Sequence, residues 1–145
     1  MIMVRLIYAS KLAADCGVEE IRSILKIARL KNREKAITGV LFYNPLYFMQ
    51  TIEGPREEIN RLYGIIMKDK RHHDVQLLQY KEICKREFAE WSMGYISSTE
   101  QDQKIINKYS PSVELSPYEM SGEGAAGFLM DLAENNRNML DNTPS

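Results

Sequence analysis

The stretch Ile37–Gly54, ITGVLFYNPLYFMQTIEG, decides the fold. It breaks at Asn44-Pro45 into two apolar runs, Ile37–Tyr43 and Leu46–Glu53. A proline fixes φ and cannot donate to a ladder, so a tight reversal belongs there and a hairpin is predicted. In the second run Phe48, Gln50 and Ile52 share one face, and Tyr47, Met49, Thr51 and Glu53 share the other. Gln50 is the informative residue. A primary amide set between Phe and Ile on an apolar face costs about 1–3 kcal/mol if it is buried unpaired. It bonds either to the protein or to something that the protein binds.

Upstream, Met3–Ser10 reads as a first strand with Val4, Leu6 and Tyr8 on one face. Tyr8 is either a core aromatic with its hydroxyl tied to backbone or a site group. Asp15-Cys16-Gly17 leads into a helix from Val18 to about Lys31, whose apolar stripe is Ile21, Ile24, Leu25 and Ala28. Asn32 extends that stripe, as a C-terminal cap or as a ligand contact.

Downstream, Gly54-Pro55 opens a second helix, with Glu57-Glu58 near its positive end and Ile59, Leu62, Tyr63 and Ile66 at helical spacing through about Lys68. Asp69–Asp74 is a charged loop. Its adjacent histidines have no partner at a metal-ligand spacing, so a solvated loop is the reading. Val75–Ile83 and Trp91–Ser97 are the fourth and fifth strands, the latter with Trp91, Met93 and Tyr95 on one face as core packing. Beyond Ser97 come two helical patterns, Thr99–Tyr109 and 122–138, joined by a Ser/Pro/Gly-rich segment. The second carries Phe128, Leu129, Leu132 and Ala133 and must bury them on the sheet or on a partner. The tail Asn142–Ser145 reads as frayed.

The order strand, helix, strand, strand, helix, strand, strand is the βαββαββ pattern of ferredoxin-like α+β folds. Right-handed crossovers place both helices on one face of a five-stranded mixed sheet. The C-terminal helices cover the other, since the central strands are apolar on both. We divide the 145 residues into a sensor-sized unit at 1–98 and a helical extension at 99–145. A net charge of −1 gives no reason to expect nucleic acid or an anionic membrane as partner. No apolar run approaches a membrane span, and the first residues lack a signal-peptide pattern. Cys16 and Cys84 are isolated, which points to a reduced, cytoplasmic protein.

Tyr8, Asn32 and Gln50 converge on one site in this topology. With ITGVLFY, FMQTIEG, DKRHH and EWSM around them, the chain resembles the BLUF family, the blue-light sensors using flavin. The resemblance covers Met3 to Ser98. The C-terminal KYSP, LSPYEM and FLMDLA further resemble the short stand-alone cyanobacterial-type members. It implies a flavin between the two helices, usually FAD, with FMN as the other choice. By the same resemblance Tyr8 is the redox-active phenol, Gln50 bridges it to flavin N5 and O4, and Asn32 holds the O4/N3 edge. Trp91 and Met93 lie near the glutamine and tune it, and Ile24, Asp69, Arg71, His72 and His73 are further flavin contacts. Light then drives coupled electron and proton transfer from Tyr8, and leaves Gln50 rotated or tautomerised. Two departures bear on the choice of flavin: Ile65 stands where relatives often carry a basic residue, and Lys31 where they have a second Asn.

The function implied is a photoreceptor without enzymatic turnover, a homo-oligomer that signals to a separate protein or by a change of assembly. No output catalytic domain fits in the chain beside the sensor. The alternative is a non-photoactive flavoprotein or flavin reductase, against which the lack of a cysteine pair, nicotinamide fingerprint or substrate-side base argues. A flavin-free interaction module would make Tyr8, Asn32 and Gln50 structural.

Overall fold

At the predicted reversal the Asn44 side chain makes the turn. Its Oδ1 accepts from the N–H groups of Leu46 (2.9 Å) and Tyr47 (2.8 Å), and Asn44 N–H donates to the Tyr47 carbonyl at 3.1 Å. The computed structural model describes residues 1–91, 93–97, 102–110 and 114–137. The frayed tail, the helix start at Thr99, the boundary at Ser98 and the side chain of Tyr95 lie outside the described residues.

The hairpin joins β2 (Thr38–Tyr43) to β3 (Tyr47–Pro55). A Cβ at Gly39 would sit 2.0 Å from the Thr51 carbonyl oxygen, so close approach of the two backbones requires glycine there. β1 (Met3–Leu12) pairs with β3, and β4 (His72–Ile83) pairs with the far edge of β1 with irregularities near Tyr8 and Ser10. These four strands form an antiparallel body. The short β5 (Gly94–Ser97) runs parallel along β2, giving the order β4-β1-β3-β2-β5.

The fold is α+β. Helices α1 (Val18–Glu34) and α2 (Arg56–Lys68) pack Ile21, Leu25 and Ile59 on the face that carries Leu6, Tyr8, Phe48 and Ile52. Helices α3 (Gln103–Tyr109) and α4 (Gly122–Asn135) pack Ile106, Phe128, Leu129 and Leu132 on the other face, against Ile7, Val40, Phe42 and Met49. The Ser121 side chain caps α4 by accepting from Gly124 N–H at 2.9 Å.

Several boundaries differ from the sequence reading. α1 continues to Glu34, and the left-handed residue that ends it is Ala36, with φ of 58°. Asn32 therefore lies inside the helix and is not its cap. β4 begins at His72 rather than Val75, so the second half of the expected charged loop is strand. Trp91 and Met93 precede β5, which starts only at Gly94.

Candidate functional site

Tyr8 and Gln50 are direct partners in the antiparallel β1–β3 register. Their side chains leave the sheet on the same face, so a short contact follows from the ladder itself. The Tyr8 hydroxyl donates to Gln50 Oε1 at 2.6 Å, and Gln50 Nε2 donates to Met93 Sδ at 3.3 Å. Both side chains are buried, Tyr8 at 4% and Gln50 at 7% exposure. Burial is the main cause that raises the Tyr8 pKa above the ordinary phenol range, with the charge of Asp69 and the neighbouring Tyr63 adding to it. The phenol keeps its proton in the resting protein.

This pair stands in the wall of a groove between α1, α2 and the sheet. Ile24 and Ala28 of α1, Leu62 and Ile66 of α2, and Leu41 and Phe48 of the sheet give it apolar sides. Asn32, buried in the last turn of α1, supplies a second amide. Towards α2's end Arg71 makes a bidentate contact with Asp69: Nε donates at 2.9 and 3.1 Å, Nη2 at 2.5 Å. Those hydrogen bonds hold the Asp69 carboxyl below the usual carboxylate range and raise Arg71 in turn. His72 is tied at both ring nitrogens, 2.6 Å from the Ile66 carbonyl and 2.7 Å from Ser10 Oγ. A carbonyl only accepts, so Nε2 carries the proton and, in the neutral ring, Nδ1 accepts from Ser10. The His72 ring meets Tyr8 edge-on at 6.0 Å.

Of the residues singled out from sequence, Tyr8, Ile24, Asn32, Gln50, Asp69, Arg71 and His72 line this groove, and Met93 backs Gln50. His73 does not. Once β4 begins at His72 its neighbour projects to the opposite side, and His73 is exposed beside Asp74. Trp91 packs on the other side of the sheet from Met93. It belongs to the core under α4, with Arg137 5.6 Å over its ring, whereas Met93 belongs to the groove side. The expectation of a shared face assumes a strand; β5 starts only at Gly94, so neither Trp91 nor Met93 belongs to it. Lys31 and Ile65 both line the groove, and both are exposed.

Sequence reasoning missed Arg29. It is buried on α1, and its Nε donates to the Met93 carbonyl at 3.0 Å. The available signal is its position four residues after Leu25 on the buried stripe, the same kind of signal that singles out Gln50.

Residues 3–94 match the family described as sensors of blue-light using FAD, BLUF. The chain belongs to the BLUF family. Over 88 residues this BLUF chain is 33% identical to the blue light- and temperature-regulated antirepressor BluF of Escherichia coli (strain K12), covering 61% of the chain and 22% of that protein. It is 34% identical over 99 residues to the photoactivated adenylate cyclase subunit alpha of Euglena gracilis, covering 68% of the chain and 10% of that protein. The chain thus spans 22% of the one and 10% of the other of these curated relatives. Among solved structures, BlsA in its photo-activated state superimposes with a TM-score of 0.82 at 30% identity, covering 90% of this chain and 94% of that one. BlrB, a BLUF protein in its dark state, gives 0.75 at 30% identity, covering 93% and 97%.

The groove fits a flavin on its own chemistry. A planar tricyclic ring needs apolar walls close on both faces, and its pyrimidine edge needs donors and acceptors. This BLUF domain provides aliphatic walls and, at one side, the amides of Asn32 and Gln50 with the Tyr8 phenol. Among the described residues no His/Cys/Asp/Glu group could hold a metal ion, and no helix is long and apolar enough to cross a membrane.

Proposed function

We propose that this BLUF protein senses blue light through the hydrogen-bond chain Tyr8–Gln50–Met93 and passes the change to α3 and α4 on the far side of the sheet. The observation that carries the reading is the buried phenol held 2.6 Å from an amide oxygen at the groove wall. A bound flavin, FAD or FMN, supplies blue-light absorption and a strongly oxidising excited state. Tyr8 is the donor. Its proton, held in a 2.6 Å hydrogen bond to Gln50 Oε1, would leave together with the electron, towards that oxygen. An amide that gains a proton at oxygen would give one up from nitrogen to a basic nitrogen of the bound flavin, the electron acceptor, so Gln50 would relay the proton rather than store it. After the electron and proton return to Tyr8, the amide has turned or persists as its imidic tautomer. Both outcomes exchange its donor and acceptor ends, and the terminal amide torsion is soft enough that hydrogen bonds decide its setting. Asn32 orients the ring edge; His72, fixed by Ser10 and Ile66, holds α2 against β1.

Met93 is the Gln50 contact that lies on the chain leading into β5. A changed amide therefore biases that segment and, through Trp91 beneath α4, the packing of the C-terminal helices or a subunit contact. We assign no catalytic turnover, an output to a separate protein or a second copy, and a cytoplasmic setting in keeping with free Cys16 and Cys84. The test is the absorption spectrum of purified full-length protein before and after blue light, with the released flavin identified by chromatography. A flavin spectrum with a reversible small red shift is expected. Bleaching by a nicotinamide with turnover, or a colourless protein from flavin-sufficient cells, contradicts the proposal.

A further inference from the structure

The geometry points to Arg29 as the residue that positions Met93 against Gln50, and so sets how long the switched amide persists. This inference rests on the proposed function above. Residues 87–91 and Met93 belong to no strand and are held from outside. At one end the N–H groups of Glu87 and Phe88 donate to the fully buried Glu53 carboxylate, at 3.0 and 2.8 Å. In the middle Gly39 N–H donates to the Trp91 carbonyl at 2.9 Å. At the other end Arg29 Nε donates to the Met93 carbonyl at 3.0 Å. The first two pins come from the sheet; the last comes from α1, the helix that lines the groove.

The Met93 side chain has several rotatable bonds and a weakly accepting sulfur. Its 3.3 Å contact to Gln50 Nε2 therefore does little to fix its own backbone, and a buried, charge-assisted bond at the Met93 carbonyl can. Arg29 as a residue is 8% exposed, and a buried guanidinium is costly without such partners. Arg29 thus ties the element that would contact the ligand to the residue behind the glutamine. Loosening that tie changes the relative free energy of the two amide settings, because Met93 Sδ accepts from only one of them. Arg29 is outside the set of residues that line the groove. It is a positioning residue.

The experiment measures dark recovery of the red-shifted state in full-length protein for Arg29→Met, Arg29→Lys and Met93→Leu, and for Arg29→Met combined with Met93→Leu. Arg29→Met is expected to change the recovery rate by about fivefold or more, with flavin still bound. Arg29→Lys keeps a cationic donor and should stay within about twofold of the parent. In the Met93→Leu background, Arg29→Met should add less than about twofold, since the sulfur through which it acts is gone. An equal effect in both backgrounds, or none in either, overturns the inference while leaving the photoreceptor reading intact. If Arg29→Met does not fold, Arg29→Gln, whose shorter chain stops short of the Met93 carbonyl, replaces it in both backgrounds, and the same two outcomes support or overturn the inference. A parent protein without any red shift defeats the proposed function and this inference together.

Discussion

The two faces of the sheet are built from the same strands and differ in what they leave open. On β3 Phe48 and Gln50 line the groove and Ile52 packs on the same side, while Met49 packs on the side of α3 and α4. The α4 side is closed: Phe42, Met49, Phe128, Leu129 and Leu132 are all fully buried there. The α1–α2 side is an open groove with a polar chain of phenol, amide and thioether in its wall. Closure stabilises, because apolar burial needs no particular partner. The polar chain has discrete partners and therefore discrete alternatives. Under the proposed function stability rests on one face and switching on the other, and Trp91 and Met93 belong to opposite sides.

Variants on the two faces should accordingly separate photochemistry from stability. Gln50→Leu has the largest predicted functional effect: Leu fills a similar volume but has no amide to reorient. Flavin stays bound, the light-induced red shift is abolished, and the Tyr8 hydroxyl, left without its partner, costs about 1–3 kcal/mol in denaturant unfolding. Phe128→Ala is the converse. It opens a cavity against Phe42, whose ring lies 5.6 Å away, and should lower stability by about 3–5 kcal/mol while the shift survives at temperatures where the protein is folded. Loss of the shift in folded Phe128→Ala would break the division.

Trp91→Phe sharpens the same boundary at smaller amplitude. The ring packs under α4, and its Nε1 has no hydrogen-bond partner among the described residues. Phe removes that orphan donor along with the stacking of Arg137, so the net cost should be about 1–2 kcal/mol. We expect a changed recovery rate with the shift intact. Complete loss of photoactivity with flavin bound would put Trp91 in the switch itself. The smallest effect belongs to the groove rim. The Asp69 carboxyl is held low by Arg71, so its contribution is present above the ordinary carboxylate pKa and is lost as pH falls through the lowered value. Both side chains are partly exposed, so Asp69→Asn should cost less than about 1 kcal/mol at neutral pH. It should also flatten the stability profile below about pH 4, measured by urea unfolding across pH.

The hairpin, the helix stripes and the Tyr8–Gln50 convergence are legible in the sequence because they follow from period and register. A polar residue on an apolar stripe is visible there, and Gln50 stands out in that way. Arg29 carries the same signal but does not stand out, because a long side chain near a helix end reads as solvated. The side on which Trp91 sits is not legible. It depends on hydrogen bonds from Glu53, Gly39 and Arg29, three distant positions that hold an irregular segment. His73 is a flavin contact only by the family resemblance, whereas its own surroundings read as a solvated loop; the start of β4, set by pairing with Leu12 rather than by local composition, is what turns it away from the groove.

The light-minus-dark infrared spectrum of full-length protein, parent against Tyr8→Phe, tests the central claim most directly. Phe keeps the ring and removes the hydroxyl that donates to Gln50. The parent should show a reversible shift of the flavin carbonyl band, and Tyr8→Phe, with flavin bound in equal amount, should show none. A carbonyl shift of normal size in Tyr8→Phe would contradict the account, because the switch would then run without the phenol.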